Sequence, residues 1–589
     1  MQIDVRVFFP EPPAFAEFAP TRAVYVGDVD GRCEVFAWTT AGARQVTDRP
    51  QGTVTCAIDP TGAWVWWFDD DLTGVGRWRI TPFGGGAAVD AGLPPGRAAG
   101  LAMSADGTAA VGVGHDGLSV HLRRPDGRVD LIGEFDGYAT LVDLSHSGRL
   151  AVLARDPEDP VPAVVLDVAT GEHLPLRLPD RSLWVSGFAP VPGGERLLLT
   201  TASDTEYRLA EWTPGGGIRE LPWFASDTEI APSWYPDGRR VLVRRDRHAR
   251  SELRELDLDR RTDTLLPTQR GTILAAQVQP DGDLHHVWTD TAHPPHLRTA
   301  SGRRPLGGPR TAAVAGTPGE VWVDTPAGPV HTLLTVPGSP APHPTVFLLH
   351  GGPHAAAHDA YDALVSVFAG IGCAVARPNY RGSTGYGAAW RNDFSDGPGN
   401  TQLLDLAAVR EHLVRTGVTD EHRTAVVGTS WGGYLALLAA GVQPELWQSV
   451  AAVNPIADYA AAYRGATPAV RALDRRIFGG DPDQRPAAYA AASPMTHVAA
   501  VRAPVLVLAA TDDNRCPPDQ VAAYVAALSA RGVEHELQWT RSGHEGHTGA
   551  VHHQVISSVV RFVATALGGR ELPAPTKAGR HPAETPGGR

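Results

Sequence analysis

The chain is poor in cysteine, in basic excess and in long apolar runs. Only four cysteines, Cys33, Cys56, Cys373 and Cys516, occur in 589 residues, and no two are closely spaced. That excludes a disulfide-dense secreted scaffold and suggests free thiols in a reducing cytoplasm, a Cys33–Cys56 bridge being the alternative. Acidic residues outnumber basic ones, 65 to 52, for a net charge of −13. A nucleic-acid partner, which needs a basic face, is not expected. No run approaches the ~20 apolar residues of a membrane span. The opening "MQIDVRVFFPEPPAF" lacks the basic and apolar regions of a secretory leader, so no membrane partner is expected. What is present is the composition of a soluble globular protein, too long for one hydrophobic core. The last residues, 568–589, are rich in Pro and Gly and read as a disordered tail.

A turn followed by an apolar, β-rich run recurs through residues 20–300. It appears as "DPTGAWVWWF" at Asp59, "SADGTAAVGV" at Ser104, "SHSGRLAVLA" at Ser145, "VPGGERLLLT" at Val191, "YPDGRRVLVR" at Tyr235 and "QPDGDLHHVW" at Gln279. The turns lie 41–46 residues apart, the period of a four-stranded propeller blade. Between them a strand–turn–strand theme occurs in seven copies, from "CEVFAWTTAGARQVT" to "HLRTASGRRPL". A single blade leaves its faces bare, and radial stacking covers them. The expected fold is therefore an all-β seven-bladed propeller over residues 1–310, its first blade the weakest match to the repeat.

Near residue 320 the period changes. "GEVWVDTPAGPVHTLLTVP" reads as an antiparallel pair. Short apolar runs then alternate with helical segments, as in a mostly parallel sheet covered by helices. The runs are "TVFLLH", "GCAVARPNY", "TAVVGTS", "SVAAVNP", "APVLVLAA" and "EHELQWTRS". An α/β-hydrolase domain over 311–567 is expected. Chemistry in such sheets gathers at the carboxyl ends of the strands. Those ends carry His350-Gly351-Gly352, Asn379-Tyr380-Arg381, Ser430, Asn454, Asp513 and His544.

"VVGTSWGGYLAL" holds the single Gly-x-Ser-x-Gly of the chain, with a strand before it and a helix after it. A serine on such an elbow exposes its hydroxyl, which becomes a nucleophile once a base accepts its proton. "VLVLAATDDNRCP" offers Asp512 and Asp513 as the acid. "TRSGHEGHTGAVHH" offers His544, His547, His552 and His553 as the base, His544 standing nearest the strand. The chain order Ser, Asp, His is that of an α/β-hydrolase. The backbone N–H of Trp431 and one from the "HGGP" loop are the expected oxyanion donors. Neither "HEGH" nor "HGGPH" has the helical spacing of a zinc site, so no metal or organic cofactor is implied.

Together "LLHGGPH", "NYRGSTGYG", "GTSWGGY", "DDNRCPPDQ" and the Gly-His before the last helix resemble prolyl oligopeptidase family serine peptidases, nearest the acylaminoacyl-peptidase branch. The resemblance spans residues 20–567. It implies Asp513 as the acid, Cys516 replacing a common valine, and His544 rather than His547 as the base. It implies oxyanion donors at Gly352 and Trp431, and Arg515 as the holder of the carbonyl before the scissile residue. The wall from Asn454 to Tyr459 is implied to line the pocket for the residue before the cut. No Glu-Glu pair occurs in residues 1–320, which disfavours the dipeptidyl-peptidase branch. The implied substrate is a short or acylated peptide, with the propeller as a size filter. Assembly into a homo-oligomer is compatible with the sequence. Two alternatives stand beside this reading: an esterase or acyltransferase using the same triad on a small metabolite, and a non-catalytic propeller binding protein.

Overall fold

A computed structural model describes residues 12–29, 32–71, 73–302, 315–544 and 549–568, the side chains at 549 and 550 apart. The expected disordered tail falls almost wholly outside these residues. The switch at 310–311 falls between the last propeller strand, ending at Thr299, and the next strand, beginning at Thr317, and also lies outside them.

The recurring turns form for a local reason. Asp106 accepts the N–H of Thr108 at 2.9 Å, and Asp237 accepts those of Arg239 and Arg240 at 2.9 and 3.1 Å. The following Gly107 and Gly238 take φ of +84° and +63°, a region that costs L-residues with a Cβ. Each turn thus reverses the chain and launches a buried strand. The strands build antiparallel sheets over residues 14–45, 56–135, 140–176, 182–226, 230–266 and 272–299. Hydrophobic clusters join neighbouring sheets. Leu150, Val152 and Val165 pack with Leu183, Leu197, Leu199 and Trp212, for instance. The last sheet meets the first, where the rings of Phe15 and His285 lie 5.5 Å apart. This is a propeller. Its hydrogen bonding differs from seven separate blades. The pairs Val75–Arg97 and Gly76–Gly96 weld the hairpins of 56–135 into one eight-stranded sheet, and the last sheet has three strands.

The second domain is built on eight strands: β1 (Thr317–Thr325), β2 (Gly328–Val336), β3 (His343–Leu349), β4 (Ala374–Asn379), β5 (Thr419–Thr429), β6 (Ser449–Val453), β7 (Val505–Ala510) and β8 (His535–Thr540). Their spatial order is β1-β2-β4-β3-β5-β6-β7-β8, antiparallel at the β1-β2-β4 edge and parallel thereafter. Both faces are covered. Phe347, Leu349 and Val426 point into one core and Val346, Leu348 and Val427 into the other, as period-two alternation requires. Cross-domain ties include Arg250–Asp359 at 3.0 Å and Arg476–Asp156 at 3.2 Å. Among the described residues no disulfide joins any of the four cysteines. Among the described residues no helix is long and apolar enough to cross a membrane.

Candidate active site

Ser430 sits between β5 and the helix Trp431–Val442, at φ +56° and ψ −119°. A non-glycine residue there is strained, and its surroundings must hold it. Its N–H donates to the Val453 carbonyl at 2.8 Å. A Cβ on Gly428 would strike the backbone of Gly432, and one on Gly432 would strike the Leu349 carbonyl at the end of β3. The two glycines of the motif are therefore contact points that let helix and strands close around the bend.

The loop after β7 brings the acid. The loop after β8 brings the base. His544 Nε2 lies 3.0 Å from Ser430 Oγ, and its Nδ1 lies 2.7 Å from Asp513 Oδ2. The other carboxylate oxygen of Asp513 accepts the N–H groups of Arg515 and Cys516 at 2.9 and 2.8 Å. Asp512 accepts instead from the Thr511 hydroxyl and is not turned to the histidine. Of the other histidines considered, His547 lies outside the described residues. His552 and His553 lie on the helix Gly549–Ala566.

Asn454 is implied by the resemblance for the pocket wall. It is 2% exposed and sits at φ +46° just past β6. Its amide NH₂ donates to the His544 carbonyl at 2.9 Å, and its amide oxygen accepts the Ala510 N–H at 3.0 Å. One side chain thus ties the β6 end to the β7 end and to the histidine loop. Sequence reasoning missed this role, because the partners lie 56 and 90 residues away. Tyr459 is fully buried in an aromatic cluster with Trp431, Tyr434, Phe478 and Tyr489. Arg515 is exposed, two residues after the acid.

The "HGGP" loop passes against the nucleophile. A Cβ on Gly351 would lie 3.7 Å from Ser430 Cβ, and Gly352 takes φ +134°. His350 anchors the loop. Its carbonyl accepts the Tyr380 hydroxyl at 2.6 Å, and its Nε2 lies 2.9 Å from Ser383 Oγ. Its ring stacks on Tyr380 at 4.2 Å. Burial pushes its pKa down to about 4, so it is neutral near pH 7. Trp431 is at the first turn of its helix, where backbone N–H groups have no helical acceptor. A further support was not anticipated: the buried Arg381–Asp405 pair, 3.0 Å, holds the loop after β4. Cation ligation is disfavoured where it comes nearest. Ligand atoms of Asp513, Cys516 and His544 lie within 4.8 Å of one another, yet two of the three already bond each other. Burial and the Asp513 charge drive the Cys516 thiol pKa well upward, so the thiol stays protonated.

Residues 360–570 match the prolyl oligopeptidase family. The acylamino-acid-releasing enzyme of Arabidopsis thaliana is 30% identical over 198 residues, 32% of this chain and 26% of that one. The human acylamino-acid-releasing enzyme is 27% identical over 245 residues, 40% of this chain and 34% of that one. These alignments span only about a quarter to a third of the curated relatives. A Mycobacterium tuberculosis puromycin-hydrolyzing peptidase shares the fold over nearly the whole length, with a TM-score of 0.80 at 19% identity, covering 97% of this chain and 96% of that one.

Proposed function

From a chain whose residues 360–570 form a prolyl oligopeptidase family domain, we propose a serine peptidase that hydrolyses short peptides, acylated ones included. The observation that carries this reading is the continuous chain from Ser430 Oγ through His544 to Asp513, at 3.0 and 2.7 Å. Ser430 Oγ attacks the scissile carbonyl while His544 Nε2 takes its proton. The Trp431 and Gly352 amides receive the oxyanion. His544 returns the proton to the leaving amine, and an acyl-enzyme remains. Water, deprotonated by the same nitrogen, attacks that ester and releases the acid. Asp513 orients the imidazole and stabilises its cation. Asn454 positions the histidine loop. Arg515 is assigned the carbonyl before the scissile residue. We propose seven blades, with 56–90 and 96–135 read as two blades joined at their edges, and assign the propeller the exclusion of long chains.

The test compares wild type with Ser430→Ala on acetylated and free peptide p-nitroanilides, with fluorophosphonate labelling alongside. Turnover unaffected by the substitution would sink the assignment. A second reading, hydrolysis of an aminoacyl amide on a small molecule, draws on the fold shared with the puromycin-hydrolyzing peptidase. Faster release from puromycin than from any peptide would favour it.

A further inference from the structure

Arg476, on the helix Pro468–Phe478, holds groups from both domains. Its Nη1 lies 3.2 Å from Asp156 Oδ1 and 3.3 Å from Glu158 Oε1. Both acids stand on the propeller loop between the strands Leu150–Ala154 and Ala163–Asp167. Its Nη2 donates to His354 Nδ1 at 3.2 Å. One nitrogen of the guanidinium fork thus faces the propeller and the other faces the hydrolase domain. The side chains of the ionic contacts keep 20–32% of their surface exposed, so water screens the charges in part. What the arrangement supplies is geometry.

His354 receives that bond as a neutral ring. Burial and the charges of Arg391 and Arg476 push its pKa down to about 2. An arginine only donates, so Nδ1 accepts and the ring hydrogen sits on Nε2.

His354 leads to both assigned oxyanion donors. Along the chain it follows Gly352 closely, in a turn so tight that a Cβ on Gly352 would lie 2.9 Å from the His354 backbone nitrogen. The Ala355 N–H closes that turn on the Pro353 carbonyl at 3.0 Å, and the Thr384 N–H pins it through the Ala355 carbonyl at 2.9 Å. Through space the His354 ring meets Phe394 edge-on at 6.0 Å, and Phe394 meets Trp431 edge-on at 6.3 Å. Glu158, His354, Phe394 and Arg476 line one cavity of about 440 Å³ at the domain boundary. A void beside the ring leaves it room to turn, and the bond from Arg476 opposes that.

We propose that Arg476 is a positioning residue for the peptidase reaction: through His354 it sets the Gly352 and Trp431 amides of the oxyanion site, and the propeller acids Asp156 and Glu158 hold it in place. The proposal rests on the peptidase reading above and on the donors assigned there. The two acids thereby act on chemistry that they do not touch. The bonds from Ser430 to His544 and from His544 to Asp513 do not pass through Arg476, so its loss leaves the triad standing.

The test uses the full chain and follows two reactions of Ser430. Arg476→Met keeps an unbranched stem and removes both donors. It should lower kcat on acetyl-peptide p-nitroanilides about 10–100-fold with KM little changed, the loss expected when reacting groups are misplaced by up to an ångström. Phosphonylation of Ser430 by a fluorophosphonate also places an oxygen against the oxyanion donors, and it should slow by a similar factor. The pH midpoint of that labelling, set by His544, should stay where it is. Asp156→Asn combined with Glu158→Gln, both in the propeller, should act in the same direction with a smaller loss. Arg250→Gln cuts another tie between the domains, the Arg250–Asp359 pair, and should slow neither reaction. Melting curves check folding, and should the Met variant fail to fold, the propeller variant decides. Unchanged kcat and labelling, a rise in KM in place of the fall in kcat, a shifted pH midpoint, or an equal loss in Arg250→Gln overturns the proposal. Labelling that depends on Arg476 in a chain that cleaves no peptide keeps the positioning role and removes the peptidase reading, so the two failures are distinct.

Discussion

In the propeller, Glu34 has no solvent exposure, and its carboxylate accepts the Thr47 hydroxyl at 2.6 Å and the Arg49 N–H at 2.8 Å, with the Arg32 guanidinium 3.8 Å away. In the hydrolase domain, Asp474 is nearly as buried and has no hydrogen-bond partner. The first acid completes a strand-to-loop tie within its own sheet. The second has only burial and the charge of the neighbouring Arg475 acting on it. Burial of a charge is thus not what marks a functional group. The glycines divide in the same way. Gly84 in the propeller has nothing within 4 Å of a notional Cβ, whereas Gly432 at the elbow has two carbonyl groups in the way.

The largest effect that would break this contrast is Ser430→Ala. Removing a triad nucleophile costs about 10⁴–10⁶ in kcat, measurable with any cleaved p-nitroanilide. Glu34→Gln should leave kcat within a few-fold. A propeller substitution that rivalled the nucleophile would show that the two domains do not divide labour as their contacts suggest. Next comes Gly432→Ala, whose methyl group meets the Leu349 carbonyl. It should cost roughly 3 kcal/mol of stability by overpacking against backbone. Gly84→Ala should be neutral or stabilise by ~0.5 kcal/mol. Urea midpoints of the two variants test the pair.

Those features differ also in how well the sequence displays them. The elbow is legible because a strand, Gly-x-Ser-x-Gly and a helix follow from local rules. The Ser430–His544–Asp513 juxtaposition follows from residues at successive strand ends of a parallel sheet. The blade pattern is legible as a period but not as hydrogen bonding. Nothing in "GRWRI" or "GRAAGL" announces that Gly76 and Gly96 pair edge to edge. Asn454 looks like one more polar residue after a strand, since its two partners are set only by tertiary approach. Asp474 is hidden in "RALDRRIF", where a lone acid among arginines reads as a solvated face. Only the packed helix reveals that it points inward.

Two smaller effects sharpen the contrast between positioning and storage of charge. Asn454→Ala removes the donor to the His544 carbonyl and the acceptor for the Ala510 N–H. It should lower kcat by about 10–100-fold with KM little changed, through misplacement of the base. Stability should fall by about 1–3 kcal/mol for the groups left unpaired. Rescue of kcat by Asp at this position, which restores the acceptor alone, should be partial. Glu34→Gln should cost about 1–2 kcal/mol, because the new NH₂ faces the donors of Thr47 or Arg49. It should do so without altering the pH dependence of kcat/KM.

The smallest effect is the pH dependence of stability that Asp474 confers. Burial raises its pKa from 3.8 to about 7, opposed only by the neighbouring Arg475, while the phenols of Tyr434, Tyr459 and Tyr489 and the Cys516 thiol around it stay neutral. Between those two values the folded chain holds a proton that the unfolded chain has released. Stability from this group is therefore full below about pH 4 and is lost as pH rises to about 7, where the loss levels off. The slope is at most about 1.4 kcal/mol per pH unit for one proton. Wild type minus Asp474→Asn should show this downward trend in urea-derived stability between pH 5 and 7, since the amide does not titrate. A difference that stays flat across that window would mean that Asp474 is already solvated or paired in solution, and the contrast with Glu34 would disappear.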